Sequence, residues 1–365
     1  MKLAIITDGF LHVGGAEKVL LELIKIYPKA DLYIPIINNN IKSEITKSTK
    51  GKIHTTLISK IPYFYEHASL LKPLLIFYWE RLNLTKYQLV ITLSHSFNSK
   101  LVNTPSSTIH ISYVLTPPRY LSEHYNETLF LKKPVIKFFT NPLIWWLKNN
   151  DIRSGEKPNL LISISKTIQK RVFKTYNRKS LLIYPPISIP QKIKTKSGQH
   201  YLCFSRLVKQ KGTKLAIETC TKLNLPLVVV GTGPELENLK RIAGQTITFT
   251  GFINQKKLET IFMNTKAMIN CAIEEDFGMV TIEAAARGIP IIGFRSGGIE
   301  ETILENKTGI FFDKHTVKSL SIAINKFETM TFDAIDCHNF AKEFSTNVFR
   351  KKIKTVVHHY NLNKS

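Results

Sequence analysis

Short apolar runs alternate with helix-like patterns along most of this 365-residue chain. Runs of four to six apolar residues bounded by turn residues are typical of buried strands, whereas apolar positions three and four apart are typical of amphipathic helices. The first run, Leu3–Thr7, leads through Gly14 and Gly15 into a helical pattern over 16–27. This alternation predicts parallel sheets covered by helices, which is the α/β class.

Eight further runs share the strand pattern. They lie at 89–93, 109–114, 160–164, 201–205, 227–230, 247–250, 267–270 and 290–293. A stretch with three prolines, 184–190, and the polar segment 191–199 separate the third of these runs from the fourth. Proline lacks a backbone N–H group and favours extended chain, so we expect a linker here between two α/β domains.

Composition narrows the class of protein. The chain is 43% hydrophobic and 21% charged, which is typical of globular proteins rather than disordered ones. Its four cysteines form no CxxC pair, which argues against a zinc site and for a reducing compartment. The first apolar run is too short for a signal peptide, and no run reaches the ~18 uncharged apolar residues of a membrane span. We therefore expect a cytoplasmic protein without a membrane-spanning segment.

An acidic segment is the richest in candidate chemistry. It has the sequence EEDFGMV over 274–280, follows the run 267–270 and precedes an alanine-rich helical segment that contains Glu283. The N-terminus of a helix presents unpaired N–H groups and a positive dipole end, which bind anions. Gly278 would let a ligand approach the backbone, and the carboxylate of Glu283 suits vicinal hydroxyls. The alternative is a helix whose acidic residues only stabilise its N-terminus.

A basic turn directly follows the run 201–205. Arg206 and Lys211 lie in it, and a guanidinium and an ammonium there could together bind a diphosphate. A solvated basic turn is the alternative. The next run, 227–230, is followed by Gly231 and Gly233, but Leu236 occupies the place of the third glycine of a dinucleotide fingerprint, and no P-loop motif occurs.

The order of these motifs resembles the nucleotide-sugar half of retaining glycosyltransferases of family 4. The basic turn comes first, then the glycine turn, the pair Glu275 and Glu283, and the segments 287–294 and 297–301. The first half is similar to this family at 14–17, 93–96, 113–120, 163–166 and 184–186. The resemblance covers about residues 1–315, and it is closest to mannosyltransferases of bacterial surface-polysaccharide synthesis, which typically use GDP-mannose.

The resemblance implies a GT-B fold, in which two Rossmann-like α/β/α domains face each other across a deep cleft. Residues 1–186 would bind the acceptor, residues 197–343 would bind the nucleotide sugar, and a closing helix within 344–365 would cross back onto the first domain. The implied reaction moves a hexose, with retention, from GDP-mannose to a lipid-linked or saccharide acceptor. It needs neither a metal ion nor a cofactor.

The resemblance also implies roles for individual residues. Arg206 and Lys211 would neutralise the donor diphosphate, and Glu283 would hold the ribose hydroxyls. Glu275 would contact the transferred sugar, either as a nucleophile or as a stabiliser of positive charge. The other implied contacts are made by the backbone of Phe277, Gly278, Met279 and Val280 to the sugar and distal phosphate, and by Gly14 and Gly15 to phosphates or acceptor. His95 and Arg119 are candidates for the acceptor side or the cleft, and a purely structural role is the alternative for a lone histidine such as His95.

One position departs from the family pattern. Leu115 stands where the family usually has a histidine that contacts the donor sugar, and leucine can neither form a hydrogen bond nor move a proton through its side chain. Two alternatives therefore stay open beside a GDP-mannose enzyme: a hexosyltransferase that uses a UDP-sugar, and an inactive protein that only binds a nucleotide sugar.

The net charge of +24 suggests a further partner. Residues 1–182 hold 26 Lys and Arg against 11 Asp and Glu, and residues 183–365 hold 25 against 16. Aromatic and basic residues interleave over 132–139 and 142–148, as in helices on the inner face of an anionic membrane. Buried aromatic faces or a lysine-rich genome are the alternatives. Nucleic acid is not expected, because the basic residues are dispersed and no binding signature occurs.

Overall fold

The computed structural model describes residues 1–9, 14–56, 72–95, 98–118, 134–194 and 196–362. The chain forms two compact units. Unit 1 comprises Met1–Tyr184 and Phe349–Ser365, and unit 2 comprises Pro185–Val348. Each unit is built on a parallel sheet with helices, so the predicted α/β class with two Rossmann-like domains is confirmed.

The sheet of unit 1 has seven parallel strands in its described residues, in the order β3-β2-β1-β4-β5-β6-β7. The strands are β1 (Leu3–Thr7), β2 (Asp31–Tyr33), β3 (Ile53–His54), β4 (Leu89–Ser94), β5 (Ile109–Val114), β6 (Leu160–Ser163) and β7 (Leu181–Leu182). Every residue of β1, β4 and β5 is buried, as expected for strands covered on both faces. The sequence pattern missed β2, β3 and β7, because two or three residues make no recognisable apolar run.

Helices cover this sheet. In unit 1 they are α1 (Gly15–Ile26), α2 (Asn39–Ser48), α3 (Lys72–Glu80), α4 (Pro134–Glu156), α5 (Lys166–Tyr176) and, from Phe349 on, α12 (Thr346–Leu362). The last of these corresponds to the basic helix expected near the end of the chain. Phe349, Ile353 and Val357 form its buried stripe at a spacing of four residues, and the ring of Phe349 packs edge-on against Tyr113 at 5.8 Å.

Unit 2 has six parallel strands in its described residues, in the order β10-β9-β8-β11-β12-β13. The strands are β8 (His200–Phe204), β9 (Leu227–Val230), β10 (Ile247–Gly251), β11 (Thr265–Asn270), β12 (Ile291–Phe294) and β13 (Gly309–Phe312). The helices are α6 (Thr213–Lys222), α7 (Leu236–Ile242), α8 (Gln255–Met263), α9 (Met279–Ala285), α10 (Val317–Glu328) and α11 (Ala334–Lys342). Tyr201 and Cys203 belong to one apolar cluster and Leu202 to another, so both faces of the sheet carry a core.

The boundary between the two units lies after Tyr184, within the proline-rich segment where the sequence predicts a linker, and the rest of that segment packs into unit 2. Pro185, Pro186 and Ile187 are buried in unit 2. The N–H of Ile187 donates to the carbonyl of Phe344 at 2.9 Å, and the carbonyl of Ile187 accepts from the N–H of Thr346 at 3.1 Å. Extended backbone favoured by the prolines thus pairs with the chain that joins α11 to α12.

The four cysteines form no disulfide. All four cysteines are free and buried, and burial raises the pKa of Cys203, Cys220 and Cys337 to about 12. Thiols that stay protonated behave as small apolar side chains.

Across the described residues, no helix combines the length and the apolar character that crossing a bilayer requires.

A buried ion pair ties a short turn of unit 1 to α4. Lys100 Nζ lies 2.8 Å from Asp151 Oδ1, and the two side chains are 1% and 0% exposed. We expect Lys100→Met to lower the free energy of unfolding of unit 1 by about 3–5 kcal/mol, because it leaves a buried carboxylate without its cation. All three tryptophans lie in unit 1, so tryptophan fluorescence during urea unfolding monitors this unit. The double variant Lys100→Met/Asp151→Leu should recover most of the loss; an equal loss in both variants would contradict the explanation.

The start of α1 carries a carboxyl group with a perturbed pKa. Glu17 Oε2 accepts the N–H of Gly14 at 2.6 Å, and burial raises the pKa of Glu17 to about 7. The carboxyl group ionises at a lower pH in the unfolded chain than in the folded chain. Its contribution to stability is therefore fully present below the unfolded pKa and is lost as the pH rises through the folded pKa. We therefore expect unit 1 to lose about 3 kcal/mol of stability between pH 4.5 and 7 through this group.

Glu17→Gln should remove this pH dependence, because the amide oxygen can still accept from Gly14 but does not ionise. Urea unfolding followed by tryptophan fluorescence at several pH values measures the difference between the two proteins. Parallel stability curves for wild type and variant would show that Glu17 does not titrate in this range.

Candidate functional site

Two loops of unit 2 meet where the order of its strands reverses. One loop follows β8 over 205–212, the other follows β11 over 271–278, and these two strands are neighbours in the sheet. The carboxyl edge at such a reversal is where open α/β sheets bind their ligands. The N–H of Ile273 donates to the carbonyl of Gln210 at 2.9 Å, so the two loops are joined directly.

Lys211 and Glu275 form an ion pair between these loops. Lys211 Nζ lies 2.6 Å from Glu275 Oε2, with 33% of the lysine side chain and 13% of the glutamate side chain exposed. The structure thus brings together two residues that the sequence singled out 64 positions apart. An ammonium has three N–H donors and a carboxylate has two oxygens, so each group can bind a ligand and keep its partner.

Arg206 lies at the start of the first loop. Its side chain is exposed and has no hydrogen-bond or ion-pair partner among the described residues. A guanidinium without a protein partner can offer its planar set of donors to an anion in solution. Arg206 and Lys211 therefore place two cations on one loop at the carboxyl end of β8.

Close backbone packing fixes the shape of the acidic loop. A Cβ atom on Gly298 would lie 2.4 Å from the Cα of Phe277, so only glycine fits there. The N–H of Gly298 donates to the carbonyl of Glu275 at 2.7 Å. Glu274 has a φ of 52°, which is unfavourable for a residue with a side chain, and its N–H donates to Ser296 Oγ at 2.9 Å. The segment 296–298 thus fixes the backbone of Glu274 and Glu275 through hydrogen bonds and close packing.

The helix that follows the acidic loop is short. It begins only at Met279 and has seven residues, and the carbonyl of Gly278 accepts from the N–H of Thr281 at 3.0 Å. Met279 and Val280 are half-buried. Phe277 is 2% exposed, and its ring packs 5.6 Å from that of Phe344, so its side chain belongs to the core. Only the backbone of Phe277 could meet a ligand.

Glu283 lies on α9 and is 9% exposed. Its backbone carbonyl accepts from Arg287 Nη1 at 2.7 Å, and Arg287 also donates through Nε to Glu259 Oε2 at 2.7 Å. The guanidinium lies over the ring of Phe262 at 4.5 Å, and its hydrogen bonds lower the pKa of Glu259. Sequence reasoning missed this support, because Glu259 and Phe262 lie on a helix that carries no recognisable motif.

The candidate residues of unit 1 lie at the edge of its own sheet. Gly14 and Gly15 form the start of α1. The N–H of His95 donates to Asp8 Oδ2 at 2.7 Å, and its side chain is 23% exposed. Sequence reasoning missed Asp8, although an aspartate directly after a buried strand is a usable signal. Arg119 lies outside the described residues, and the predicted roles of Gly14, Gly15 and His95 stay predictions.

The described residues contain no cluster of three or more His, Cys, Asp or Glu side chains that could hold a metal ion. The charged groups at the reversal point of unit 2 are therefore those of the loops themselves. Their arrangement is suited to a ligand that carries both negative charge and hydroxyl groups, since ammonium, guanidinium and carboxylate groups lie on adjoining loops.

Known proteins are similar to this chain in sequence over unit 2 and in fold over its whole length. Residues 187–345 match the family model described as glycosyl transferases group 1. Over 140 residues the chain is 32% identical to a GDP-mannose-dependent alpha-(1-6)-phosphatidylinositol monomannoside mannosyltransferase of Mycolicibacterium smegmatis, which covers 34% of this chain and 37% of the relative. A GDP-mannose-dependent alpha-mannosyltransferase of Corynebacterium glutamicum is 32% identical over 108 residues, or 30% of this chain and 26% of the relative. The chain therefore matches only about a quarter to a third of the length of these relatives.

A solved structure extends the likeness to the whole chain. The Anabaena protein HepE, crystallised in complex with UDP, superposes with a TM-score of 0.73 at 17% identity and covers 98% of this chain and 100% of its own. At that identity the likeness shows the fold alone. The chain thus has the GT-B fold, and its residues 187–345 are similar to the glycosyl transferases group 1.

Proposed function

We propose that this chain is a retaining hexosyltransferase that takes mannose from GDP-mannose. The observation that carries the proposal is the pairing of Lys211 with Glu275 at the strand reversal of a group 1 domain. The names of the two mannosyltransferase relatives support the donor. In this proposal, no metal ion is required, because two side-chain cations neutralise the diphosphate.

The chemistry follows from the charges on the two loops. The bond between the anomeric carbon and the diphosphate oxygen breaks, and the electron pair leaves with the diphosphate. Lys211 and Arg206 stabilise the negative charge that develops there, and fixed charges are most effective where charge appears during the reaction. Glu275 contacts the sugar as it gains positive charge, and Glu283 holds the ribose hydroxyls. An acceptor oxygen then bonds to the anomeric carbon, and its proton passes to the leaving diphosphate.

A UDP-sugar donor is the second candidate. HepE binds UDP and has the same fold, and the base is selected by loop shapes that no motif specifies. An inactive protein that only binds the nucleotide sugar is the third, because Leu115 lacks a polar side chain. A thermal-shift series with GDP, UDP, ADP and their sugars, followed by transfer assays, separates the three, since a ligand that binds only the folded chain raises its melting temperature.

Lys211→Ala and Glu275→Ala should each lower transfer of labelled mannose from GDP-mannose by at least about 100-fold, because each removes a charge next to the reacting bond. Lys211→Ala should also weaken binding of GDP, whereas Glu275→Ala should leave it nearly unchanged. Lys209→Ala is the matched control, since Lys209 is an exposed lysine on the same turn. Full activity of both site variants would refute the assignment, and tight nucleotide binding without transfer by the wild type would favour the inactive protein.

We also propose that the acceptor is lipid-linked and that unit 1 attaches to an anionic bilayer. Unit 1 holds 31 Lys and Arg against 11 Asp and Glu, a net charge of +20, whereas unit 2 holds 20 against 16, a net charge of +4. A surface of unit 1 on α3 and α4 exposes large apolar side chains. They are Leu74 at 57%, Phe77 at 48%, Leu143 at 46% and Trp145 at 65% exposure.

These side chains belong to adjoining helices, because the rings of Phe77 on α3 and Trp146 on α4 lie 5.8 Å apart. Trp79 on α3 is fully buried, so some aromatic side chains of these helices belong to the core and others, such as Phe77 and Trp145, lie on the surface. Aromatic rings suit the headgroup region, and the surrounding positive charge attracts anionic lipid.

The wild type should sediment with phosphatidylglycerol vesicles at low salt and not with phosphatidylcholine vesicles. The double variant Phe77→Ser/Trp145→Ser should bind about 10-fold more weakly, because it removes the apolar anchors and leaves the charge unchanged. Phe173→Ser is the control, since Phe173 is 53% exposed on α5 of the same unit. Equal binding by the anchor variant and this control would show that the α3–α4 surface is not the attachment site.

A further inference from the structure

Unit 2 has an open cavity of about 540 Å³ at the edge of its sheet where the strands begin. Lys266 near the start of β11 and Pro290 directly before β12 line it, together with residues that precede β8 and residues between α10 and α11. Parallel strands all begin at one edge and end at the other, so this cavity is separate from Lys211 and Glu275. Its volume lies within the range of roughly 300–1,000 Å³ that is typical of small-molecule sites.

A buried lysine forms part of the wall of this cavity. Lys194 is 5% exposed, and its backbone N–H donates to the carbonyl of Arg287 at 2.9 Å. Its ammonium group donates to the carbonyl of Thr265, and within the part of the chain that the structure describes this is its single hydrogen bond. An ammonium has three N–H donors, so two remain for a ligand. Burial of an ammonium without a carboxylate partner is costly, and an anionic ligand offsets that cost.

The carboxylates that line the cavity are engaged elsewhere. Glu328 accepts hydrogen bonds from Lys266 Nζ and from a tyrosine hydroxyl of β8. Asp333 Oδ1 accepts a backbone N–H at the start of α11 at 2.8 Å. Lys194 and the exposed Lys196 therefore have no carboxylate partner among the residues described. The charge that is left over in the cavity is positive, which favours an anion.

Much of the remaining lining is apolar. The rings of Phe327 and Phe332 stack with their centroids 5.1 Å apart and an angle of 11° between their planes. Met330 is half-buried and packs against the same apolar cluster. Aromatic rings and a flexible thioether adapt well to a small apolar group. A ligand that suits this cavity therefore combines negative charge with an apolar body.

We infer that this cavity binds a small monocarboxylate with an apolar body. One buried ammonium, that of Lys194, matches one negative charge, and Lys196 lies at the exposed side of the cavity. The apolar body contacts Phe327, Met330 and Phe332. The site is independent of the proposed function, because none of its residues lies on the two loops that bind the donor in that proposal.

Proton uptake gives this binding a measurable signature. Burial lowers the pKa of Lys194 to about 8, so about half of the chains carry a neutral amine there at pH 8. A carboxylate next to Nζ favours the ammonium, so binding at pH 8 should take up about half a proton. Burial lowers the pKa of His200 from 6.5, so His200 is neutral at this pH. The other charged groups that line the cavity are Lys196, Lys266, Glu328 and Asp333.

Calorimetric titration of the full chain with benzoate at pH 8 tests the inference. Two buffers that differ in their enthalpy of ionisation give the number of protons taken up. Benzoate should bind at least about 10-fold more tightly than benzyl alcohol, which has the same ring without the charge. It should also bind more tightly than inorganic phosphate, which has no apolar body. Equal binding of benzoate and benzyl alcohol, or tighter binding of phosphate, would overturn the inference.

Two variants locate the bound benzoate. Lys194→Met should weaken its binding at least about 10-fold and abolish the proton uptake, because methionine keeps the apolar stem and removes the ammonium. Lys192→Met is the matched control, since Lys192 is an exposed lysine of the same segment outside the lining. Unchanged binding and proton uptake in Lys194→Met would overturn the role of Lys194.

Ser197→Phe keeps the inference testable if Lys194→Met does not fold. Ser197 is exposed and lines the cavity, so a phenyl ring there occupies space that the ligand needs and leaves every charge unchanged. This variant should also bind benzoate at least about 10-fold more weakly, with the melting temperature of the wild type as the check on folding. Wild-type affinity in folded Ser197→Phe would show that benzoate binds elsewhere.

Discussion

Parallel pairing of β8 with β11 is the constraint on which the site of unit 2 depends. Parallel strands all end at the same edge, and the strand order reverses between these two, so their following loops must meet there. The loop after β8 supplies Lys211 and the loop after β11 supplies Glu275. The same reversal between β1 and β4 of unit 1 brings Asp8 to the loop of His95. One rule of sheet construction thus generates both clusters.

The ion pair of Lys211 and Glu275 explains how an ammonium and a carboxylate can lie side by side in a small, partly buried site. An isolated ammonium or carboxylate in a partly buried site would carry a desolvation cost, and pairing offsets it before any ligand arrives. In the proposed reaction, the leaving diphosphate would give Lys211 a second anionic partner, while the carboxylate of Glu275 would face a sugar that becomes more positive. The tight packing of Gly298 against Phe277, and the hydrogen bond from the N–H of Gly298 to the carbonyl of Glu275, fix the backbone from which this carboxylate extends.

Sequence patterns predicted the strands that are buried on both faces and the loops that follow them. The run at 227–230 coincides with β9, because an unbroken apolar run has few other places in a fold, and the alternating pattern at 109–114 coincides with β5. β13 was missed because its four residues begin with glycine. Phe277 shows a further limit, since a motif marks a residue as important without showing whether its backbone or its side chain is used. The bonds of Ile187 depend on where α11 ends, which no local pattern contains.

The motifs account for the basic residues near the diphosphate candidates of unit 2 but not for the large positive charge of unit 1. Unit 2 carries the diphosphate candidates with a net charge of only +4, because its 16 acidic residues offset most of its 20 basic ones. Arg287 with Glu259 and Lys266 with Glu328 are examples of the resulting pairs. Unit 1 holds the other +20, and no small anionic ligand needs so many cations. The attraction between a protein and a wide anionic surface is a sum over many basic side chains, each of which contributes weakly, and it falls as the salt concentration rises. A net charge of +20 suits such a surface. A lysine-rich genome would enrich both units alike, so the imbalance between the units favours a partner of unit 1 over composition alone.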